Sequence, residues 1–129
     1  MLLPLRFPRL WLAVGWSLVV LALVVCLVPN GVPGTAGLND KFMHATGYLG
    51  LTLWFTGIYP RARYLVIALS LFAMGIAVEI LQGVMHAGRN ADPRDVAANA
   101  LGVVLGISLA LSFLGGWMQR IESWVAPRE

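Results

Sequence analysis

Four long apolar runs separated by short polar gaps constrain this chain more than any other feature. A bilayer core asks for about 20 apolar residues of helix. Residues 10–28 carry no charge; residues 42–59 are interrupted by His44; residues 64–84 carry Glu79 and Gln82; residues 96–117 carry Asn99. Repeated long segments favour helices over a barrel, whose strands would alternate with period two. The expected fold is therefore all-α: one domain over residues 1–129, an integral membrane bundle of four transmembrane helices. Composition agrees, with 59% apolar and 12% charged residues. A chain with so little polar surface argues against a soluble enzyme, a disordered tail or a free nucleic-acid-binding domain. The net charge of +3 is no nucleic-acid footprint, because the basic residues lie in the gaps between runs. The single cysteine, Cys26, allows no internal disulfide and lies within an apolar run, where a thiol acts as a small hydrophobe.

Arg6 and Arg9 ahead of the first run also fit a signal peptide. The length of the run and the lack of a small-x-small pair before Pro29 favour an uncleaved helix. Lys and Arg in the gaps set the orientation. With a cytoplasmic amino terminus, Arg6, Arg9, Arg61, Arg63, Arg120 and Arg128 lie inside and Lys41, Arg89 and Arg94 outside. Both termini are thus expected in the cytoplasm. Trp11, Tyr59, Tyr64 and Trp117 would mark the inner interface, where amphipathic rings prefer to sit.

This topology brings polar groups to one depth. Asp40, Lys41 and His44 open the second helix, Glu79, Gln82 and His86 close the third, and Asn99 lies one turn into the fourth. At 1.5 Å per residue, His44, Glu79 and Asn99 fall roughly 5–10 Å inside the outer boundary. Asp40, His44 and Tyr48 share a helix face, as do Glu79, Gln82 and His86. An ionised acid near the bilayer centre costs about 2.5–3.5 kcal/mol. Glu79 should therefore turn inward, with His44, Arg89 and Arg94 as available donors. A structural bond tying two helices would satisfy it equally well.

Two bland roles are also legible. Asp92-Pro93 reads as an N-cap followed by proline at the first helical position, and Asp95 suits the first turn through the helix dipole. Ala98, Gly102, Gly106 and Ala110, four apart, form a small-residue stripe for close packing in lipid. Gly47 and Gly50 are candidates for the same use on the second helix.

The ordered set Asp40-Lys41-x-x-His44-x-x-x-Tyr48, Glu79-x-x-Gln82 and Arg89-x-x-Asp92-x-x-Asp95-x-x-x-Asn99-x-x-Gly102-x-x-x-Gly106 resembles the VanZ-like family over residues 39–112. The resemblance implies a multi-pass protein of the bacterial cytoplasmic (inner) membrane. The family takes its name from a protein of glycopeptide-resistance clusters that raises tolerance to teicoplanin; resistance itself is not assigned to this chain. His86 is not a position associated with the family.

Three functions compete. The first is an outward polar site that binds or acts on a lipid-linked or amphiphilic envelope molecule. There Glu79, His44 and Asp95 are the candidate catalytic residues, with Glu79 as general base and His44 as relay. Asp40, Lys41, Gln82, Arg89, Asp92, Arg94 and Asn99 are the candidate ligand contacts, the arginines holding phosphate or carboxylate. The second is a non-enzymatic scaffold, alone or as a homo-oligomer, whose buried polar groups satisfy one another. The third, transport or proton conduction, needs polar groups through the full thickness, and the inner halves are Leu, Val, Ala and Trp. Lipid is the expected surrounding and nucleic acid is not an expected partner. His44, Glu79, His86, Asp92 and Asp95 are of metal-ligating type, but their spacing matches no compact metal motif. Neither a metal nor another cofactor is expected.

Overall fold

The structure, a computed structural model, describes residues 1–29, 40–86 and 90–125. Among them every regular element is helical: α1 (Pro8–Leu27), α2 (Asp40–Ile58), a 3-10 turn (Arg61–Arg63), α3 (Tyr64–Met85), α4 (Pro93–Leu109), a π turn (Ala110–Leu114) and α5 (Trp117–Val125). Three stretches are long and apolar enough to cross a membrane: Pro8–Leu27, Arg61–Met85 and Pro93–Leu114.

The distribution of side chains is that of a membrane protein. Trp16, Val20, Leu21 and Val24 on α1, Leu65, Leu69, Ile76 and Ile80 on α3, and Leu101, Val104 and Leu105 on α4 are exposed. Inside lie polar groups: Thr52, Thr56 and Asn99 are fully buried, and His44, Glu79, Gln82 and Asp95 nearly so. Apolar surface of this extent would be unfavourable in water and is neutral against lipid tails.

Helix α2 occupies the centre, which accounts for its weaker apolarity. It buries His44, Tyr48, Leu51, Thr52, Phe55, Thr56, Gly57 and Ile58, so its hydroxyls meet protein rather than lipid. Thr52 and Thr56 donate to the carbonyls of Tyr48 and Thr52 at 2.7 and 2.9 Å.

Successive helices run in opposite directions, so α2 and α4 run the same way. Their contact descends in register from Lys41–Asp95 to His44–Asn99 and on to the glycines of the stripe. A Cβ at Gly102 would lie 2.2 Å from the Ala45 carbonyl oxygen, and one at Gly106 would lie 2.6 Å from Thr52 Cβ. The stripe therefore serves the close approach expected of it, with Ala110 fully buried below. Gly47 and Gly50 do not share that use: no atom lies within 4 Å of a Cβ built on either, and both are exposed. The partner of α4 on α2 is the neighbouring face, through Ala45, Leu49 and Thr52.

The final segment departs from the expected continuous helix over 96–117. Helix α4 ends at Leu109, widens into the π turn, and reverses at Gly115 and Gly116, the latter at φ 67°. The Gly116 N–H donates to the Thr56 carbonyl at 3.1 Å. Trp117 opens α5, its indole donating to the Leu53 carbonyl at 2.8 Å. Trp11, Trp54 and Trp117 pack at centroid distances of 5.7–5.9 Å. Glu122 of α5 accepts from the backbone N–H groups of Arg6 and Phe7 and from the Trp11 indole. It thereby satisfies donors that a helix start leaves open.

Candidate functional site

The parallel start of α2 and α4 brings six of the expected residues into one network. Asp92 caps α4 as its spacing suggested: Oδ1 accepts the Arg94 N–H at 2.9 Å, with Pro93 at the first helical position. Its Oδ2 lies 2.9 Å from Lys41 Nζ, and the same ammonium lies 2.9 Å from Asp95 Oδ1. Lys41 thus spans both acids of the α4 start. Its ammonium holds the Asp92 carboxyl below the usual carboxylate range. The positive ends of two helices meet here, and acids are favoured at such ends.

One turn deeper, His44 Nδ1 lies 2.9 Å from Asn99 Oδ1. An amide oxygen only accepts, so the assigned proton is on Nδ1. The other ring nitrogen, Nε2, faces Asp40 Oδ2 and Asp95 Oδ2, each at 3.8 Å. The His44 and Asp95 side chains are 3% and 5% exposed, whereas Asp40 at 50% stands at the rim. Among the described residues, Asn99 Nδ2 and Tyr48 Oη, both buried, find no hydrogen-bond partner. Both sit beside Gly75, whose missing side chain leaves them room: a Cβ there would lie 2.9 Å from Nδ2 and 3.4 Å from Oη. Tyr48 belongs to this pocket of polar groups although it was grouped by helix face alone.

Glu79 joins the network through the backbone. Its Oε2 accepts the Asp92 N–H at 3.0 Å, fixing the turn that carries the α4 cap. Of the side-chain donors expected for it, Arg89 lies outside the described residues. Gln82 faces elsewhere: its Nε2 donates to the Cys26 carbonyl at 2.7 Å, satisfying one of the acceptors left open at the end of α1. Arg94 is exposed and enters the network through its N–H. His86, outside the network, ends α3 in the left-handed conformation at φ 48° and donates from Nδ1 to the Val84 carbonyl at 2.7 Å. Arg89 and the turn-rich stretch after Pro29 lie outside the described residues.

A groove of about 590 Å³ is apolar and lies away from this network. Trp16, Val19, Phe55, Ile67 and Met74 line it, with Arg63 and Tyr59 at one end. The polar network is the candidate site by its chemistry. No family model, curated protein or solved structure matches the chain.

Proposed function

We propose that this chain is a VanZ-like protein of the bacterial inner membrane whose polar site, at the outer boundary, binds a lipid-linked or amphiphilic envelope molecule. Helix α2 is the fourth span, shielded by its neighbours, and both termini are cytoplasmic. The observation that carries the reading is the convergence of Asp40, Lys41, His44, Asp92, Asp95 and Asn99 at the shared start of two parallel helices. Apolar helix faces below that level hold it at a membrane boundary. Asp40, Lys41 and Arg94 supply the accessible rim; His44, Asp95 and Asn99 form the buried floor. Glu79, accepting from the Asp92 backbone, positions the rim and stays the candidate general base beside His44 and Asp95.

The mutual pairing of Lys41 with Asp92 and Asp95 favours a second reading, in which the network specifies the α2–α4 register and the protein is a scaffold. Native mass spectrometry of the detergent-extracted chain separates the two. A co-purifying lipid or glycan precursor that is lost in Arg94→Ala and Asp40→Asn supports the ligand site. The same chain without such a species, with both variants equally folded, supports the scaffold. For orientation, single cysteines at Arg94 and Ala62 in a Cys26→Ala background should be labelled from outside only at the former. Labelling of Ala62 instead would invert the topology.

A further inference from the structure

We propose that Asp40, His44 and Asp95 form a binding site for a divalent transition ion, zinc by the chemistry of the set. One ligand atom from each residue lies within 4.8 Å of the other two, and His44 Nε2 lies 3.8 Å from both carboxylate oxygens. A tetrahedral ion with bonds of about 2.0–2.1 Å sets its ligand atoms about 3.4 Å apart. The imidazole lies within a few tenths of an ångström of that spacing from each carboxylate, and the two carboxylates, within 4.8 Å of each other, close onto the ion by side-chain rotation.

The orientation of His44 is the independent observation. Its side chain is almost fully buried, and Asn99 holds Nδ1–H. In the neutral ring the Nε2 lone pair is aimed between two carboxylates, an arrangement that either a proton on Nε2 or a metal cation standing among them makes favourable. An imidazole whose far N–H is held by an amide oxygen is the usual support of a metal-bound histidine. Asp95 is supported likewise, its second oxygen accepting from Lys41 at 2.9 Å.

An imidazole ligand disfavours magnesium and calcium, which prefer all-oxygen sets, and suits zinc. Two ligands are buried and Asp40 is at the rim, so the fourth position opens toward the accessible side, as in sites that exchange water or ligand. Spacing along the chain hides this set: Asp40 and His44 are one turn apart on α2, whereas Asp95 comes from α4. The proposal stands whether or not an envelope molecule binds above it.

The test uses the full chain in detergent, stripped with a chelator and dialysed against zinc at low micromolar free concentration. One zinc per chain is expected by elemental analysis, with cobalt giving the visible absorption of a four- or five-coordinate site. His44→Gln and Asp95→Asn should abolish stoichiometric uptake. Asp40→Asn, at the half-exposed rim and therefore safest for folding, should weaken it. Asn99→Ala should weaken it by about 10–100-fold through loss of ring support, and His86→Gln should leave it unchanged. Absence of stoichiometric zinc in the wild type, or uptake equal in wild type and a folded Asp40→Asn/His44→Gln double variant, would overturn the proposal. So would a nitrogen NMR signal showing His44 protonated on both nitrogens and unmoved by zinc.

Discussion

His44 Nδ1 and Asn99 Oδ1, 55 residues apart in sequence, meet at 2.9 Å in the interior of the protein. The bond joins α2 to α4 one turn below their shared start. It also fixes which ring nitrogen is left to face Asp40 and Asp95. Removing the amide leaves a buried N–H with no acceptor, which costs about 1–3 kcal/mol. Asn99→Ala should lower stability by that amount, measured by reversible SDS unfolding of the purified protein. An unchanged unfolding midpoint would show that the pair does not hold the two helices.

Glycine substitutions should separate the two faces of the bundle. At Gly102 an added methyl meets the backbone of α2, 2.2 Å from the Ala45 oxygen, and backbone cannot swing aside. Gly102→Ala should destabilise by about 1–3 kcal/mol or more as the helices part. Gly47→Ala and Gly50→Ala meet no atom within 4 Å. There the gain in helix propensity, about 0.5–1 kcal/mol, should appear as equal or higher thermal stability in detergent. If Gly102→Ala were as harmless as the other two, the close α2–α4 contact would be wrong.

The helical class and most limits of the first three helices were legible because lipid imposes length and apolarity on a span, but the helix number was not: four were expected, and the described residues form five α-helices, with three stretches long and apolar enough to cross a membrane. The α3 limits, Tyr64–Met85, differ by one residue from the expected 64–84. The break after Leu109 was not legible. Residues 110–117 remain apolar, and hydropathy does not register a π turn set by Gly115, Gly116 and the bond from Gly116 to Thr56. The common level expected for His44, Glu79 and Asn99 follows from counting turns. The pairing of His44 with Asn99 does not, because it depends on α2 and α4 running side by side in the same direction. Glycines on α2 looked equivalent to those on α4 because small residues mark close packing only when a partner faces them. The bond from the Asp92 N–H to Glu79 was not legible either, because side-chain spacing cannot reveal a backbone donor.

The Glu122 carboxylate ties α5 to the beginning of α1 through the N–H groups of Arg6 and Phe7 and the Trp11 indole at 2.7 Å. It acts as a helix cap supplied from a distant segment. Glu122→Ala should cost about 0.5–2 kcal/mol, the range for loss of a cap. The effect should be local, with faster amide exchange at residues 6–11 and at α5 and little change at α3. Uniform loss of protection across the chain would place Glu122 in the global fold instead.

Acid should weaken the cap of α4 in a defined direction. Hydrogen bonds from the Lys41 ammonium and the Arg94 N–H favour the charged form of Asp92, so its folded value lies below its ordinary 3.8. The unfolded chain takes up that proton first as pH falls. The contribution of Asp92 is therefore complete above about pH 4–5 and is lost below, as pH descends through the lowered folded value. Stability measured against pH should show this limb in the wild type and a shallower one in Asp92→Asn, whose amide cannot titrate. Lys41→Met should also flatten it, since the largest cause of the depression is then gone. Acid limbs of equal slope in all three proteins would show that the Lys41–Asp92 pair does not shape the folded state, and the rim of the site would have to be redrawn.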